Sequence, residues 1–122
     1  MTAIERFEDI IAWQKARILT IEIYKLFRNS KDFGFRDQIQ RASVSIMNNI
    51  TEGFERKGDK EFRNFLSIAK GSCGEVRSMV TLALDLGYIN EQDFHTLSGL
   101  SLEISKILHV FMKRLNTDKP TS

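Results

Sequence analysis

Apolar residues in this chain recur three and four positions apart in four separate runs, and that period decides what the chain can build. The cleanest run is Phe62, Leu66, Ala69, Cys73, Val76, Val80 and Ala83. An α-helix turns once in about 3.6 residues, so this spacing lines one helix face, whereas a half-buried strand alternates with period two. Phe94, Leu97, Ser101, Ile104, Leu108, Phe111 and Leu115 repeat the pattern over three heptads. Ala12, Ala16, Leu19, Ile23 and Leu26 carry it near the start, widened by Trp13, Thr20 and Phe27. Phe35, Ile39, Ala42, Ile46 and Asn49, with Ile50 beside them, form the fourth seam. No segment alternates long enough to compete as a strand. Turns of an all-β fold draw on Gly and Pro, and 122 residues with seven Gly and one Pro supply few of either.

The punctuation places the boundaries. The first helix is predicted from about Phe7 to Asn29, where Asn29-Ser30-Lys31-Asp32 breaks the period. The second runs from Gly34 or Phe35 to Thr51, followed by a polar turn, Phe54 to Lys57, bracketed by Gly53 and Gly58. Asp59 offers an N-cap to the third helix, and Gly87 stands where a left-handed C-cap belongs. Asn90 caps the fourth. One chain of this length builds one core, so the reading is all-α: an antiparallel up-down-up-down four-helix bundle over residues 1–116, with helices crossing near 20°. Residues 117–122 are expected to form a frayed polar tail.

Composition excludes several classes. With 42% hydrophobic and 28% charged residues the chain has the balance of a soluble globular protein. Cys73 is alone, so neither a disulfide framework nor a multi-cysteine zinc site can form. The segment Met1 to Ile10 lacks an apolar stretch of signal-peptide length, and the uncharged run Ala42 to Thr51 is about half a membrane span. The expectation is a cytoplasmic protein without membrane contact. Catalytic constellations are missing too. His95 and His109 are the two imidazoles, and neither belongs to a Glu-x-x-His pair or an Arg-x(4–6)-His motif. There is no Gly-rich phosphate loop. His95-Thr96-Leu97-Ser98-Gly99 is similar to the His-x-x-Lys-Gly signature of histidine phosphotransfer bundles, but Ser98 stands where the Lys would neutralise the phosphoryl charge. The chain reads as non-enzymatic, with no catalytic residue, cofactor or metal; phosphotransfer is a remote alternative.

The second helix carries a single charge, Arg41, between Gln38 and Thr51. A bundle helix with a wet face normally carries Lys and Glu there. Gly71 and Gly74 inside the third helix each cost about 1 kcal/mol against Ala, a cost that close backbone approach can offset. These features predict a homo-oligomer whose interface holds Ser43, Ser45, Met47, Asn48, Gly71 and Gly74. The alternative is tight packing of the second helix on the third within one subunit.

The net charge of +2 is small, so placement decides its meaning. Lys60, Arg63, Ser67, Lys70, Gly74 and Arg77 are spaced three and four apart and form one stripe with four positive charges and no negative one. At about 1.5 Å per residue it spans roughly 25 Å, and such a line can neutralise phosphates without reading bases. Lys60, Arg63, Lys70 and Arg77, with Arg41 of the second helix, are the candidate nucleic-acid-binding residues. The competing reading is a solvated face, or one that meets acidic groups of another subunit.

Three stretches, Asp37 to Ile46, Asn49-Ile50-Thr51-Glu52-Gly53, and Glu61 to Ser72 with Glu75, resemble the 23S rRNA intervening-sequence protein family. Trp13 with Ala16, and Leu86-Gly87-Tyr88-Ile89, match its flanking signals. The resemblance covers roughly residues 7–115. Ile46-Met47 stands where the family usually has Ile-Pro, and Ile39-Gln40-Arg41-Ala42 where it has Ile-Arg-Arg-Ala. The resemblance implies a bacterial four-helix bundle assembling as a homopentamer, of a kind often labelled ribosomal. Related accessory variability proteins of diversity-generating retroelements bind nucleic acid and a reverse transcriptase through a basic surface. The combined expectation is an oligomeric bundle that binds RNA, DNA or a nucleoprotein partner such as a reverse transcriptase; the alternative is a protein-binding assembly scaffold.

Overall fold

The computed structural model describes residues 4–117. A 3-10 turn, Phe7–Asp9, precedes four helices: α1 (Ile11–Phe27), α2 (Phe33–Glu55), α3 (Asp59–Asp85) and α4 (Glu91–Thr117). No strand occurs among the described residues.

The first helix starts later than its apolar pattern suggests. Ile10 is extended (φ −75°, ψ 120°) and separates the 3-10 turn from α1. The Phe7 ring meets Trp13 edge-on at 5.2 Å, and Gln14 Nε2 donates to the Glu8 carbonyl at 2.8 Å. These contacts fold the short turn back onto α1.

The second helix continues beyond Thr51, through Gly53 to Glu55. A Cβ on Gly53 would lie 2.8 Å from Phe65 Cβ and 2.9 Å from Phe62 Cδ1. Gly53 is therefore a point of close α2–α3 approach and not a helix stop. The turn after it is short and held by charge: Arg56 pairs with Glu52 at 2.8 Å and Glu61 at 3.7 Å, and its guanidinium lies 5.0 Å over the Phe65 ring.

Asp59 does not act as the N-cap of α3. It is the first helical residue, and Gly58 takes the preceding position at φ 92°, a left-handed conformation that L side chains rarely adopt. Asp59 and Glu61 then sit in the first turn, where negative charge suits the helix dipole. At the other end Gly87 does take the left-handed conformation, with φ 75°. Tyr88 N–H donates to the Ala83 carbonyl at 2.8 Å and Gly87 N–H to that of Leu84 at 3.0 Å, which makes a Schellman motif. Asn90 Oδ1 accepts the Asp93 amide at 2.7 Å and caps α4. That helix extends to Thr117; the fraying expected of the tail falls, for residues 118–122, outside the described residues.

Each helix packs on two others, α1–α2, α2–α3, α3–α4 and α1–α4, while the backbones of the diagonal pairs stay more than 8 Å apart among the described residues. This ring of contacts is consistent with a four-helix bundle. The core holds Leu19, Ile23 and Phe27 of α1, Ile39, Ile46 and Ile50 of α2, Leu66, Val76 and Val80 of α3, and Leu97, Ile104 and Leu108 of α4. Burying each such side chain contributes about 1.5–3 kcal/mol. Of the apolar pair ending α1, Phe27 is 1% exposed and Leu26 37%, so Phe27 is the seam residue and Leu26 is not. Phe27, Phe35 and Tyr88 pack together near one pole, and Phe54, Phe62 and Phe111 near the other. No described helix is long and apolar enough to cross a membrane.

Candidate nucleic-acid interface

The α3 core face fixes where the basic stripe points. Leu66, Ala69, Cys73, Val76 and Val80 are fully buried, and Ser72 Oγ meets Ser45 Oγ of α2 at 2.9 Å. At about 100° per residue, Lys70 lies roughly 160° round the helix from Ser72. The stripe therefore faces away from α2 and runs along the outer flank of α3 beside α4. Lys60 and Ser67 are exposed; Arg63, Lys70 and Arg77 are half-buried. None of the four cations forms an ion pair among the described residues. Nη1 of Arg63 is buried without a hydrogen-bond partner.

Arg41 does not join this row. It lines a groove of about 550 Å3 between α2 and α3, with Asp37, Gln38, Ser45 and Glu75. Glu75 and Arg77 are two residues apart, hence roughly 160° apart round α3. The Arg41 groove and the stripe thus flank α3 on opposite sides, and two carboxylates share the groove with Arg41.

The six candidate interface residues do not share one surface either. Ser43 is fully buried inside the subunit; its hydroxyl donates to the Gln40 carbonyl at 2.8 Å and its own carbonyl accepts from Thr20 Oγ1 at 3.2 Å. Ser45 is held by Ser72 and by Asn49, whose Nδ2 donates to it at 3.0 Å. Met47 is half-buried against the core, while Asn48 and Gly71 are exposed. A Cβ on Gly71 or Gly74 would meet nothing within 4 Å. Within one subunit Ser43 and Ser45 are engaged by intramolecular contacts, and the close approach that glycine permits occurs at Gly53.

Cys73 lies wholly within the core, where burial pushes its thiol up to about 12, opposed in part by the charges of Arg77 and Lys70. His95 is exposed and its ring meets Phe94 edge-on at 5.3 Å. No cluster of metal-ligating side chains occurs among the described residues. The sequence marks Tyr88 as part of a flanking signal but not its contact: the hydroxyl donates to Asp32 across 2.6 Å. Its partner is 56 positions away, and no local spacing signals such a pair.

The sequence signature of 23S rRNA-intervening sequence proteins matches residues 8–110, from the 3-10 turn well into α4. The chain belongs to the 23S rRNA-intervening sequence protein family. A solved member of the S23 ribosomal protein family, a protein of unknown function from Bacteroides thetaiotaomicron VPI-5482, superposes with a TM-score of 0.79 at 27% identity, over 84% of this chain and 99% of that one. No curated protein matches the chain. The basic stripe and the Gly53 approach both fall inside the stretch that defines this intervening-sequence protein.

Proposed function

We propose that this intervening-sequence protein is a non-enzymatic, cytoplasmic, antiparallel bundle that assembles into a homo-oligomer and binds nucleic acid, or a nucleoprotein such as a reverse transcriptase with its template, along α3. Contacts between neighbouring helices support the antiparallel course: Phe27 meets Phe35 while Thr20 reaches Ser43, and Ser45 meets Ser72 while Gly53 meets Phe62 and Phe65. In each pair one partner's number rises as the other's falls.

The observation that carries the binding function is the row of Arg63, Lys70 and Arg77, half-buried and without carboxylate partners among the described residues. Long cationic side chains at half-buried positions such as Lys70 and Arg77 pack their aliphatic stems and turn their charged heads toward water, while Arg63 keeps one guanidinium nitrogen buried. Each contact with a phosphate is weak and screened, and a ring of subunits multiplies it through avidity. A pentamer is the state the family resemblance implies.

The deciding experiment reverses the charge of two stripe residues. Lys70→Glu with Arg77→Glu should abolish binding to RNA and DNA while helicity and oligomeric mass persist. Wild-type affinity should fall steeply between low and physiological salt and change little with base sequence. Undiminished binding by the reversed protein would make the stripe a solvated face. The scaffold reading has one observation of its own: Ile68 and Leu82 on α3 and Leu86 at its C-terminal cap are 53%, 46% and 50% exposed. It gains if reversal breaks the oligomer.

A further inference from the structure

We infer that neighbouring copies of this chain meet through unlike faces: the outer row of α1 in one subunit packs on the α2 flank of α3 in the next. This rests on the homo-oligomer reading above and names its contact.

Helix α1 carries two rows at 3/4 spacing. The inner one, Ala12, Ala16, Leu19 and Ile23, is buried in the core. The outer one is Ile11, Gln14, Ile18, Ile21 and Lys25, and all five are exposed. At about 100° per residue, Ile18 lies roughly 160° round the helix from Ala16, and Ile21 as far from Ile23. Ile11, Ile18 and Ile21 are 52%, 54% and 42% exposed. A helix apolar on two opposite faces is normally covered on both, and the bundle covers one. The outer row holds a single charge, the positive Lys25.

Helix α3 carries a matching row. Asn64, Ile68, Gly71, Glu75, Ser78 and Leu82 are spaced four and three apart and are all exposed. Glu75 lines the groove between α2 and α3, which places the row on the α2 flank. Its single charge is the negative Glu75. Neither Glu75 nor Lys25 forms an ion pair among the described residues. A Cβ on Gly71 would meet nothing within 4 Å, so the row has a notch that a branched side chain can enter. Rows at this spacing interdigitate as knobs into holes.

The heights of the two rows agree. Lys15 pairs with Glu103 at 3.1 Å, and Phe111 meets Phe62 at 5.1 Å, which sets Lys15 about level with Lys70. Thr20 reaches Ser43 and Ser45 meets Ser72, which sets Thr20 about level with Gly74. A rotation about an axis along the bundle keeps these heights, and it keeps α1 of one copy parallel to α3 of the next. Ile11 then falls between Asn64 and Ile68, and Ile18 between Gly71 and Glu75. Lys25 falls roughly 7 Å along the axis from Glu75, a span the two side chains can bridge. Since α1 and α3 are diagonal in the bundle, the rows cannot meet inside one subunit.

A two-fold contact fits worse. It sets each row against its own copy, so Glu75 finds no cation in the opposing row and Lys25 no carboxylate. Burying a charge without an opposite partner is costly. Unlike faces bring Lys25 to Glu75 and the isoleucines to Gly71. Such a contact repeats from copy to copy and makes a ring when the rotation closes. It leaves the basic stripe, on the α4 flank of α3, uncovered.

Complementation between two blocked variants of the full chain tests this. Ile18→Asp with Ile21→Asp blocks the α1 row, and Ile68→Asp with Leu82→Asp blocks the α3 row. Each variant alone should sediment near the 14.1 kDa of one chain. Far-ultraviolet circular dichroism should be unchanged, since all four side chains are exposed. Mixed in equal amounts, well above the concentration at which the wild type assembles, the two should form a pair of twice that mass and grow no further, because each keeps the face the other has lost. Lys25→Glu and Glu75→Lys should each weaken association about tenfold or more, and together in one chain they should recover most of it. Absence of the pair from the mixture, or of recovery by the charge swap, overturns the meeting of these rows. A blocked variant that keeps the wild-type mass overturns it too, by removing that row from the contact. A monomeric wild type overturns the homo-oligomer reading, and this inference with it.

Discussion

The Tyr88 hydroxyl donates to Oδ2 of Asp32 across 2.6 Å, while Oδ1 of the same carboxylate accepts the Phe35 amide at 3.1 Å. One side chain thus caps α2 and ties the α1–α2 turn to the α3–α4 turn. Phe35 completes the link, its ring 5.4 Å from Tyr88 and 5.6 Å from Phe27. The pole is closed by a polar latch over an aromatic cluster.

This latch predicts two limbs of pH dependence. Hydrogen bonds from Tyr88 and then Phe35 hold Asp32 below its ordinary value of 3.8. A depressed carboxylate contributes stability above its unfolded value and loses it as pH falls through the folded one. The hydrogen bond to Asp32 raises Tyr88 above its ordinary 10.0. A raised phenol contributes below its unfolded value and loses that contribution as pH rises through the folded one. Urea midpoints for the wild type should therefore decline below pH 4 and above pH 10. Asp32→Asn should flatten part of the acid limb, and Tyr88→Phe should remove its share of the alkaline one. Parallel curves for the wild type and both variants would exclude the latch.

Gly53→Ala should be the most damaging alanine substitution of any glycine in the helices. The added Cβ would stand 2.8 Å from Phe65 Cβ and 3.2 Å from the Phe62 carbonyl oxygen, atoms that cannot swing aside. Overpacking of this kind costs about 1–3 kcal/mol. Gly71→Ala meets nothing within 4 Å, so in a single chain it should gain up to about 1 kcal/mol of helix propensity. Thermal denaturation of the two variants should shift in opposite directions.

Cys73 should resist alkylation in the native state. Its thiol, 9.0 when free, is pushed up to about 12 by burial. The thiolate is the nucleophile, so at pH 8 the native reaction should run on the order of a thousandfold slower than that of a free thiol. The raised value adds stability below pH 9 that fades as pH climbs toward 12, alongside the Tyr88 limb. Lys70→Glu with Arg77→Glu removes the two charges that favour the thiolate and should slow labelling further. Rapid labelling of folded protein by a thiol reagent would contradict this core position.

The four helices were legible because 3/4 spacing survives any detail of packing, and so were the caps at Asn90 and Gly87, where local chemistry alone decides. Gly53 was misread as a break because a glycine inside a helix and one that ends it look alike until the partner surface, here Phe62 and Phe65, is in place. The stripe on α3 was legible as a period. That Arg41 lies across α3 from it was not, since the side of α2 that faces α3 is fixed by the Ser45–Ser72 contact and not by either sequence alone. Ser43 misled for a related reason: a small polar residue without charge fits an interface or an interior equally well, and Thr20 claims it for the interior.

Assembly is the prediction that most separates the two readings of α3. Ile68, Gly71, Leu82 and Leu86 form an exposed row between the α2 flank, marked by Ser72, and the basic stripe. Its apolar members are 53%, 46% and 50% exposed, and apolar surface in rows of this kind is what subunit contacts cover. Sedimentation equilibrium should give the wild type several times the 14.1 kDa of one chain. Ile68→Asp with Leu82→Asp should reduce that mass toward a single chain, because charge at the centre of an interface typically costs 2 kcal/mol or more, on the order of a hot-spot truncation, at each site. Helicity should survive, since neither side chain belongs to the core. Reversal of the stripe at Lys70 and Arg77 should leave the mass unchanged, because those residues lie on the α4 flank. If the stripe variant is the one that dissociates, α3 meets its neighbour through the cations, and the ligand surface has to be sought elsewhere.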